Sequence, residues 1–429
     1  MVPAAEQFVI KTNQENKYRV KLQKQLIIYF GATGINAVLS FVITSLLTHE
    51  IEPQDYGRIY LYSSFLNLMT PFITAGILSP LSVEYFKRSH QSYSVYFSNA
   101  QLIPLISLGF FAIACVLLQN PLAHFLKVNT YWIWIMPFTV WWIMINETSQ
   151  MITRNNSKPY QFAFFSVGKN VAEIGMTVLF VLLLHWSWQG RLLSAAAAPL
   201  LLGCISLFLF NRWKLIEKQV DWKLVKQIFL LSSPFIFERL SVFVMNSSGQ
   251  YYIDNMVPGG TAEVGLYSLG NTIAQILFLV VLSMNYAYQP HLFKKLSEGL
   301  KNRLHKTTGW YILACAITAG LLFIGIPILF RFFLGAKYAG AEKYAFLLCG
   351  GCFMWGVYNA FQVYLIYIHK KGLILAIAIL GMITSLLLNY LLIKKYGTEG
   401  AAYSSIITYS VMAITCFLLV RKFYILKHE

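Results

Sequence analysis

Two pairs of opposite charges lie inside long apolar stretches of this chain. Lys169 and Glu173 are four residues apart, a spacing that puts two side chains on one face of a helix, and Glu238 is followed directly by Arg239. A charge at the centre of a lipid bilayer costs about 2.5–3.5 kcal/mol. Such groups either mark a substrate or ion path or neutralise one another in a structural ion pair. The four residues therefore indicate a charged, proton-responsive binding cavity or two ion pairs that lock helices together.

Polar side chains recur at three- and four-residue steps on four apolar segments, and this spacing places them on one helical face. The four stripes are Asn36, Ser40 and Thr44; Tyr60, Ser63, Ser64, Asn67, Thr70 and Thr74; Ser166, Lys169, Asn170, Glu173 and Thr177; and Ser268, Asn271, Thr272 and Gln275. Hydrogen bonds between neighbouring helices, worth about 1 kcal/mol each, are one explanation. The length and repetition of the stripes favour a wetted cavity.

The candidate residues for such a cavity fall into three groups. The predicted substrate-binding side chains are Lys169, Arg239, Asn67, Asn170, Asn271 and Gln275. The predicted coupling or ion-pair carboxylates are Glu173, Glu238 and Asp254. Pro234 lies four residues before Glu238, and because proline removes a helical hydrogen bond it predicts a hinge.

The composition explains where these residues must lie. The chain has 429 residues, of which 57% are hydrophobic and 12% charged, against about 25% charged in soluble domains. Its apolar runs are close to the roughly 20 residues that cross a hydrocarbon core, and backbone groups in lipid must be satisfied within the segment. We therefore predict twelve transmembrane helices. They cover residues 27–47, 59–78, 100–118, 131–152, 162–184, 194–210, 228–251, 264–286, 310–330, 344–368, 373–393 and 401–420.

The net charge of +17 is distributed as a topology signal. Most of the 34 Lys and Arg residues precede the first predicted span or fall in alternate loops, so both termini are predicted to be cytoplasmic. This distribution argues against nucleic-acid binding. The first apolar run is too long for a cleaved signal sequence and predicts a signal-anchor.

Features of enzymes are sparse. The six cysteines fall within predicted spans, and "CGGC" at 349–352 lies in an apolar helix without nearby basic groups. The histidines show no ligand spacing, and there is no P-loop. We predict no catalytic residue, metal or cofactor. The inner loops at 211–227 and 291–309 are too short for a domain, and each is compatible with one amphipathic interfacial helix.

A weak internal repeat organises the chain. A shift of 208 residues aligns "PQDYGRIYLYSSFLNL" with "TAEVGLYSLGNTIAQI" and pairs Gly57 with Gly265, and a shift of 210 pairs Gly190 with Gly400. Because six spans is an even number, the two halves enter the membrane in parallel. The predicted fold is an all-α polytopic membrane protein with twelve transmembrane helices in two parallel six-helix lobes around a central cavity. The predicted segments are a basic cytoplasmic N-terminus (1–26), a first lobe (27–210), a cytoplasmic linker (211–227), a second lobe (228–420) and a cytoplasmic tail (421–429).

Several loose motifs carry a family resemblance. They are "EPQDYGRIYLYSSFLNLMTPFITAGILSPLSVEYFK", "SSPFIFERLSVFVMNSSGQYYIDNMVPGGTAEVGLYSLGNTIAQI", "FLGAKYAGAEKYAFLL" and "KKYGTEGAAYSSIITY". The chain thereby resembles the polysaccharide-flippase branch of the multidrug, oligosaccharidyl-lipid and polysaccharide exporter superfamily. The strongest part is the pattern of Pro234, Asp254 and Gly265–Ser268.

The resemblance implies a function and a mechanism. Members of that branch flip undecaprenyl-pyrophosphate-linked oligosaccharide units for O-antigen, capsule or exopolysaccharide across the bacterial inner membrane. Arg239 and Lys169 would then neutralise the pyrophosphate, while polar stripes and tyrosines bind sugar hydroxyls. Glu173 and Glu238 would exchange their cation partners for H⁺ or Na⁺. The implied partners are the lipid-linked oligosaccharide, membrane lipids, a polysaccharide polymerase and a chain-length regulator.

Other functions remain open from the residues alone. A drug or cation antiporter of the same superfamily would favour an acidic cavity, so Lys169 and Arg239 count against it. The short outer loops argue against a membrane polysaccharide polymerase or ligase. The buried charges argue against a scaffold that transports nothing.

Overall fold

The computed structural model of the protein describes residue 28 and residues 31–297 and 306–425, and in these ranges every regular element is a helix. The α-helices are α1 (Gly31–Glu50), α2 (Pro53–Thr74), α3 (Leu78–Lys87), α4 (His90–Leu117), α5 (Gln119–Leu126), α6 (Thr130–Asn155), α7 (Pro159–Thr177), α8 (Ser187–Arg212), α9 (Trp222–Met256), α10 (Gly260–Ser297), α11 (Lys306–Phe333), α12 (Glu342–Tyr367), α13 (Lys371–Tyr396) and α14 (Thr398–Val420). A π-helix at Val178–Leu183 extends α7, and a 3₁₀-helix at Ala336–Ala341 precedes α12.

The helices have the length and composition of membrane spans. Within the described ranges ten are long and apolar enough to cross a bilayer. The bent pairs α2–α3 (43°) and α5–α6 (93°) raise the number to as many as twelve if each pair forms one span. Over their described residues, the predicted spans fall on these helices or bent pairs. The predicted class, an all-α multi-pass membrane protein, is confirmed.

The contacts divide the chain into two compact units. The first consists of Met1–Ile43, Phe72–Ala123 and Asn129–Pro234, and the second of Thr44–Pro71, His124–Val128 and Phe235–Glu429. Contacts therefore group residues 44–71 and 124–128 with the second half of the chain, whereas the sequence analysis placed them in the first lobe. The lobe boundaries stay a prediction.

In the first unit, α6 packs against α4, α7 and α8. Val140 and Met144 of α6 are fully buried, and Gly203 of α8 lies directly against the ring of Trp142. In the second unit, α12 packs against α10, α11 and α14. Glycines at these contacts, Gly203 of α8 and Gly356 of α12, let the helices approach one another closely.

Helices α2 and α10 cross in the second unit at Gly57 and Gly265, the two glycines that the internal repeat pairs. A Cβ atom on Gly57 of α2 would lie 1.8 Å from the Thr261 carbonyl oxygen, and one on Gly265 of α10 would lie 2.0 Å from the Pro53 carbonyl oxygen. Residues 53 and 261 are related by the same shift of 208 that pairs the two glycines. The contact is therefore reciprocal, as expected where equivalent helices of two repeats cross. Only glycine fits on either side of this crossing.

The connection between α8 and α9 is held by side chains of α4. The sequence of 211–227 is compatible with one amphipathic helix, but the chain turns at Trp213 and Lys214 and has no regular secondary structure over 215–221 until α9 begins at Trp222. Asn99 of α4 donates to the Gln219 carbonyl (3.0 Å) and accepts from the Asp221 amide (2.7 Å). Further bonds join Ser94 to Lys214 and Ser98 to Leu215 and Glu217. Side chains of α4 thus supply the hydrogen bonds that a helix would have formed internally.

Much of the second inner loop, residues 298–305, and the terminal segments 1–26 and 426–429 lie outside the described residues.

Candidate functional site

A cluster of three charged side chains lies in the first unit. The Glu173 carboxylate of α7 lies 3.4 Å from Lys169 Nζ and 2.7 Å from Nη1 of Arg191 on α8. The side chains of Glu173, Arg191 and Lys169 are 11%, 16% and 28% exposed. One carboxylate thus faces two cations, and the cluster carries one surplus positive charge. The structure contains the predicted Lys169–Glu173 pair, while its role in binding stays a prediction.

Local geometry explains how Arg191 reaches Glu173. At 1.5 Å per residue, Glu173 lies about 21 Å along its helix from Pro159. The chain then continues as a π-helix and turns through His185, whose φ is 53°. A Cβ atom on Gly190 would lie 2.9 Å from Phe180 Cβ, so α8 begins in close contact with this turn. Arg191 follows in the first turns of α8, and its long side chain extends beside Glu173.

Sequence reasoning missed Arg191. It was assigned to a connection between spans, because the predicted span began at residue 194, whereas α8 begins at Ser187. One available signal was its position only one turn before the predicted span, within reach of a long side chain. Arg191 is the strongest addition to the candidate site.

The guanidinium of Arg191 has unused hydrogen-bonding capacity. Its buried Nε has no hydrogen-bond partner among the described residues, and Nη1 contacts Glu173 outside good hydrogen-bond geometry. A buried donor without an acceptor costs about 1–3 kcal/mol, and more when it is charged. A surplus positive charge with a spare donor suits an anion that presents several oxygens.

The polar stripes are partly paired with one another. Asn36 of α1 donates to Ser166 Oγ of α7 at 2.7 Å, and the hydroxyl groups of Tyr60 and Thr272 are hydrogen-bonded between α2 and α10. Interhelical hydrogen bonding therefore accounts for part of the pattern. The remaining predicted amides make no hydrogen bond to another described side chain or backbone group. These are the exposed Asn67 and the half-buried Asn170, Asn271 and Gln275.

Asp254 forms a closed polar triangle in the second unit. Lys127 Nζ lies 2.7 Å from Asp254 Oδ1, and Thr261 Oγ1 lies 2.6 Å from Lys127 Nζ and 2.7 Å from the same carboxylate oxygen. The Asp254 side chain is only 3% exposed. Its cation partner, Lys127, follows α5 at a φ of 57° and was not predicted. Asp254 is thus an ion-paired carboxylate, and its part in coupling stays a prediction.

The adjacent charges Glu238 and Arg239 lie on α9. The side chain of Glu238 is outside what the structure describes. Arg239 is exposed and makes no ion pair with any other described side chain. Helix α9 runs through Pro234 as one element, and the hinge stays a prediction.

No group of three or more His, Cys, Asp or Glu residues in the described ranges is placed to hold a metal ion.

Comparison with known proteins identifies the family. The model of a family described as polysaccharide biosynthesis protein matches residues 22–295, more than half of the chain. The chain belongs to the polysaccharide biosynthesis protein family. An uncharacterized membrane protein of Haemophilus influenzae is 23% identical over 321 residues, covering 71% of this chain and 74% of that protein.

Two solved structures show the fold of this family member. The inward-facing conformation of a multidrug resistance MATE family transporter of the MOP superfamily has a TM-score of 0.72 at 13% identity, covering 90% of this chain and 94% of that one. The lipid II flippase MurJ, in an inward closed conformation, has a TM-score of 0.70 at 13% identity, covering 92% and 87%. The resemblance drawn from the motifs is therefore confirmed for family and fold.

Proposed function

We propose that this protein flips undecaprenyl-pyrophosphate-linked oligosaccharide repeat units across the bacterial inner membrane by alternating access, with both termini in the cytoplasm. Its membership of the polysaccharide biosynthesis protein family supports the proposal. The fold supports it as well, because one protein with this fold is a lipid II flippase. The lipid tail stays in the bilayer while the polar head passes through the protein.

The charged cluster in the first unit carries the proposal. Lys169 and Arg191 hold a surplus positive charge and a spare donor beside Glu173, deep in an apolar helix pair. A pyrophosphate supplies the oxygens that the guanidinium lacks, as charge-assisted hydrogen bonds require. When the phosphate groups bind Lys169 and Arg191, the Glu173 carboxylate loses its ion-pair partners and binds H⁺ or Na⁺ instead. This exchange would couple the return step to an ion gradient.

Other predicted residues take supporting roles. Arg239 is a second cation for the phosphates, and the unpaired amides Asn67, Asn170, Asn271 and Gln275 offer hydrogen bonds to sugar hydroxyls. Glu238 and Asp254 are further candidates for ion coupling. A polysaccharide polymerase and a chain-length regulator would receive the flipped unit.

A drug or cation antiporter is the second candidate. The fold favours it, because a multidrug resistance MATE transporter has a TM-score of 0.72 to this chain. The charge balance of the cluster disfavours it, because two cations around one carboxylate repel a cationic drug. Resistance to cationic drugs in an expressing strain separates the two functions.

Complementation of a flippase-deficient host that makes a matching repeat unit tests the proposal. Arg191→Gln is compared with Arg212→Gln, which removes an exposed cation at the far end of the same helix. A hydrogen bond to a charged group contributes about 1.5–3 kcal/mol, so Arg191→Gln is expected to lower surface polysaccharide at least tenfold. Lipid-linked units should accumulate in the inner leaflet, while Arg212→Gln transports normally. Full polysaccharide assembly by Arg191→Gln at equal expression contradicts the proposal.

A further inference from the structure

A pocket of about 510 Å³ opens in the first unit, where α6 and α8 begin. Its walls include the aromatic rings of Tyr131, Trp132 and Trp186, and its polar side chains are His185 and Gln189. None of the described residues that line it is Lys, Arg, Asp or Glu. The volume falls in the range of about 300–1,000 Å³ that is typical of small-molecule sites.

The aromatic walls are held in place by their neighbours. Trp186 stacks on Phe180 with ring centroids 5.5 Å apart and an interplanar angle of 5°, and its amide donates to the Phe180 carbonyl at 2.9 Å. Trp132 packs against Trp188 at 6.3 Å. Trp186 is 47% exposed and Tyr131 41% exposed, so both still offer surface to a ligand. The result is a preformed aromatic pocket rather than a collapsed cluster.

The two polar side chains limit what can fill the pocket. Neither the His185 ring nor the Gln189 carboxamide has a hydrogen-bond partner among the described residues. Gln189 is half-buried and His185 is exposed, so an acyl chain in the pocket would cover the Gln189 carboxamide without a hydrogen-bond partner. A charged headgroup would meet no Lys, Arg, Asp or Glu on the lining side chains. Ordinary interfacial anchoring of Trp and Tyr requires neither a concave pocket nor polar groups within it.

We propose that this pocket binds a neutral pyranose ring of a saccharide. The apolar C–H face of the ring packs on Trp186 and Tyr131, and its hydroxyl groups bond to Gln189 and His185. Two residues along a helix correspond to a rotation of about 200°, so Gln189 faces away from Arg191 on α8. The pocket is therefore a separate subsite from the charged cluster. Its assignment to sugars of the translocated oligosaccharide rests on the proposed function, whereas binding of a free saccharide does not.

Saturation-transfer difference NMR on the full-length protein in lipid nanodiscs tests the pocket. Maltoside and glucoside detergents are avoided during exchange, because their headgroups are themselves pyranoses. The probes are methyl β-D-galactopyranoside and N-acetylglucosamine, with glycerophosphocholine as the headgroup probe. The variants are Trp186→Ala and Gln189→Leu, and the matched control is Trp310→Ala, which removes a 70% exposed tryptophan from α11. Size-exclusion profiles and helical circular dichroism check folding.

We expect saturation of the ring protons of at least one sugar with the wild type and with Trp310→Ala. Loss of a neutral hydrogen bond worth about 0.5–1.5 kcal/mol predicts roughly two- to tenfold weaker binding for Gln189→Leu, and Trp186→Ala should abolish the signal. If Trp186→Ala does not fold, Gln189→Leu alone decides the outcome. Signals that are absent, equal in Gln189→Leu and wild type, or confined to glycerophosphocholine overturn the proposal. Sugar binding that persists in Arg191→Gln supports a pocket that is independent of the charged cluster. If Arg191→Gln then still assembles full polysaccharide, the transport proposal fails while the pocket stands. If Gln189→Leu binds the sugar as well as the wild type does, the pocket fails while the transport proposal stands.

Discussion

Replacing Glu173 by Gln removes the only carboxylate of the charged cluster and leaves its shape almost unchanged. The Arg191–Glu173 pair is short and both side chains are largely buried, so loss of one partner is expected to cost about 3–5 kcal/mol of the unfolding free energy. Lys169 is more exposed, at 28%, and lies farther from the carboxylate, at 3.4 Å, so its pair is expected to contribute less than the Arg191 pair. The destabilisation should therefore come mainly from Arg191.

A double-mutant cycle isolates this interaction. Unfolding free energies are measured in mixed micelles for the wild type, Glu173→Gln, Arg191→Gln and the double variant. Contacting residues typically couple by about 0.5–3 kcal/mol, and the short, buried contact predicts a value in the upper half of that range. Added pyrophosphate should stabilise Glu173→Gln more than the wild type, because the variant has two cations without a counter-charge. Additive single effects, together with equal responses to pyrophosphate, would refute the reasoning.

Three further substitutions test other parts of the structure. Asp254→Asn removes the buried charge beside Lys127 and should lower the unfolding free energy by about 1–3 kcal/mol, which thermal unfolding checks; an unchanged midpoint contradicts the closed triangle. Gly57→Ala places a Cβ 1.8 Å from a backbone oxygen and should abolish the monodisperse peak in size-exclusion chromatography, whereas Gly109→Ala, with nothing within 4 Å, should retain it. Asn99→Ala removes two hydrogen bonds to the connection between α8 and α9, so trypsin should cleave that connection faster; unchanged cleavage would show that α4 does not hold it.

The sequence predicts the membrane class and the approximate spans because both depend on composition. Apolar runs near 20 residues long leave a helix as the only way to satisfy the backbone in lipid. The pairing of Gly57 with Gly265 was also predictable, since the same small residue recurs where equivalent helices cross. The i,i+4 spacing of Lys169 and Glu173 placed both side chains on one helical face, so their ion pair was one of the two interpretations that the sequence offered.

The partners supplied by distant parts of the chain were not predictable in the same way. Arg191 reaches Glu173 because α8 begins seven residues before the predicted span, after a turn at His185, and packs closely on Phe180 at Gly190. The basic connection after α8 has an amphipathic pattern, yet it is not helical over 215–221, where Asn99, more than 110 residues away, binds its backbone. Lys127 meets Asp254 through a left-handed backbone conformation that no helical periodicity encodes.

The most direct test of the central claim is the affinity of the purified protein for an undecaprenyl-pyrophosphate-linked saccharide, measured by native mass spectrometry. A charge-assisted contact at Arg191 predicts at least tenfold weaker binding for Arg191→Gln than for the wild type and for Arg212→Gln. Equal affinity of all three proteins would show that the buried cations between α7 and α8 serve only to hold the helices together.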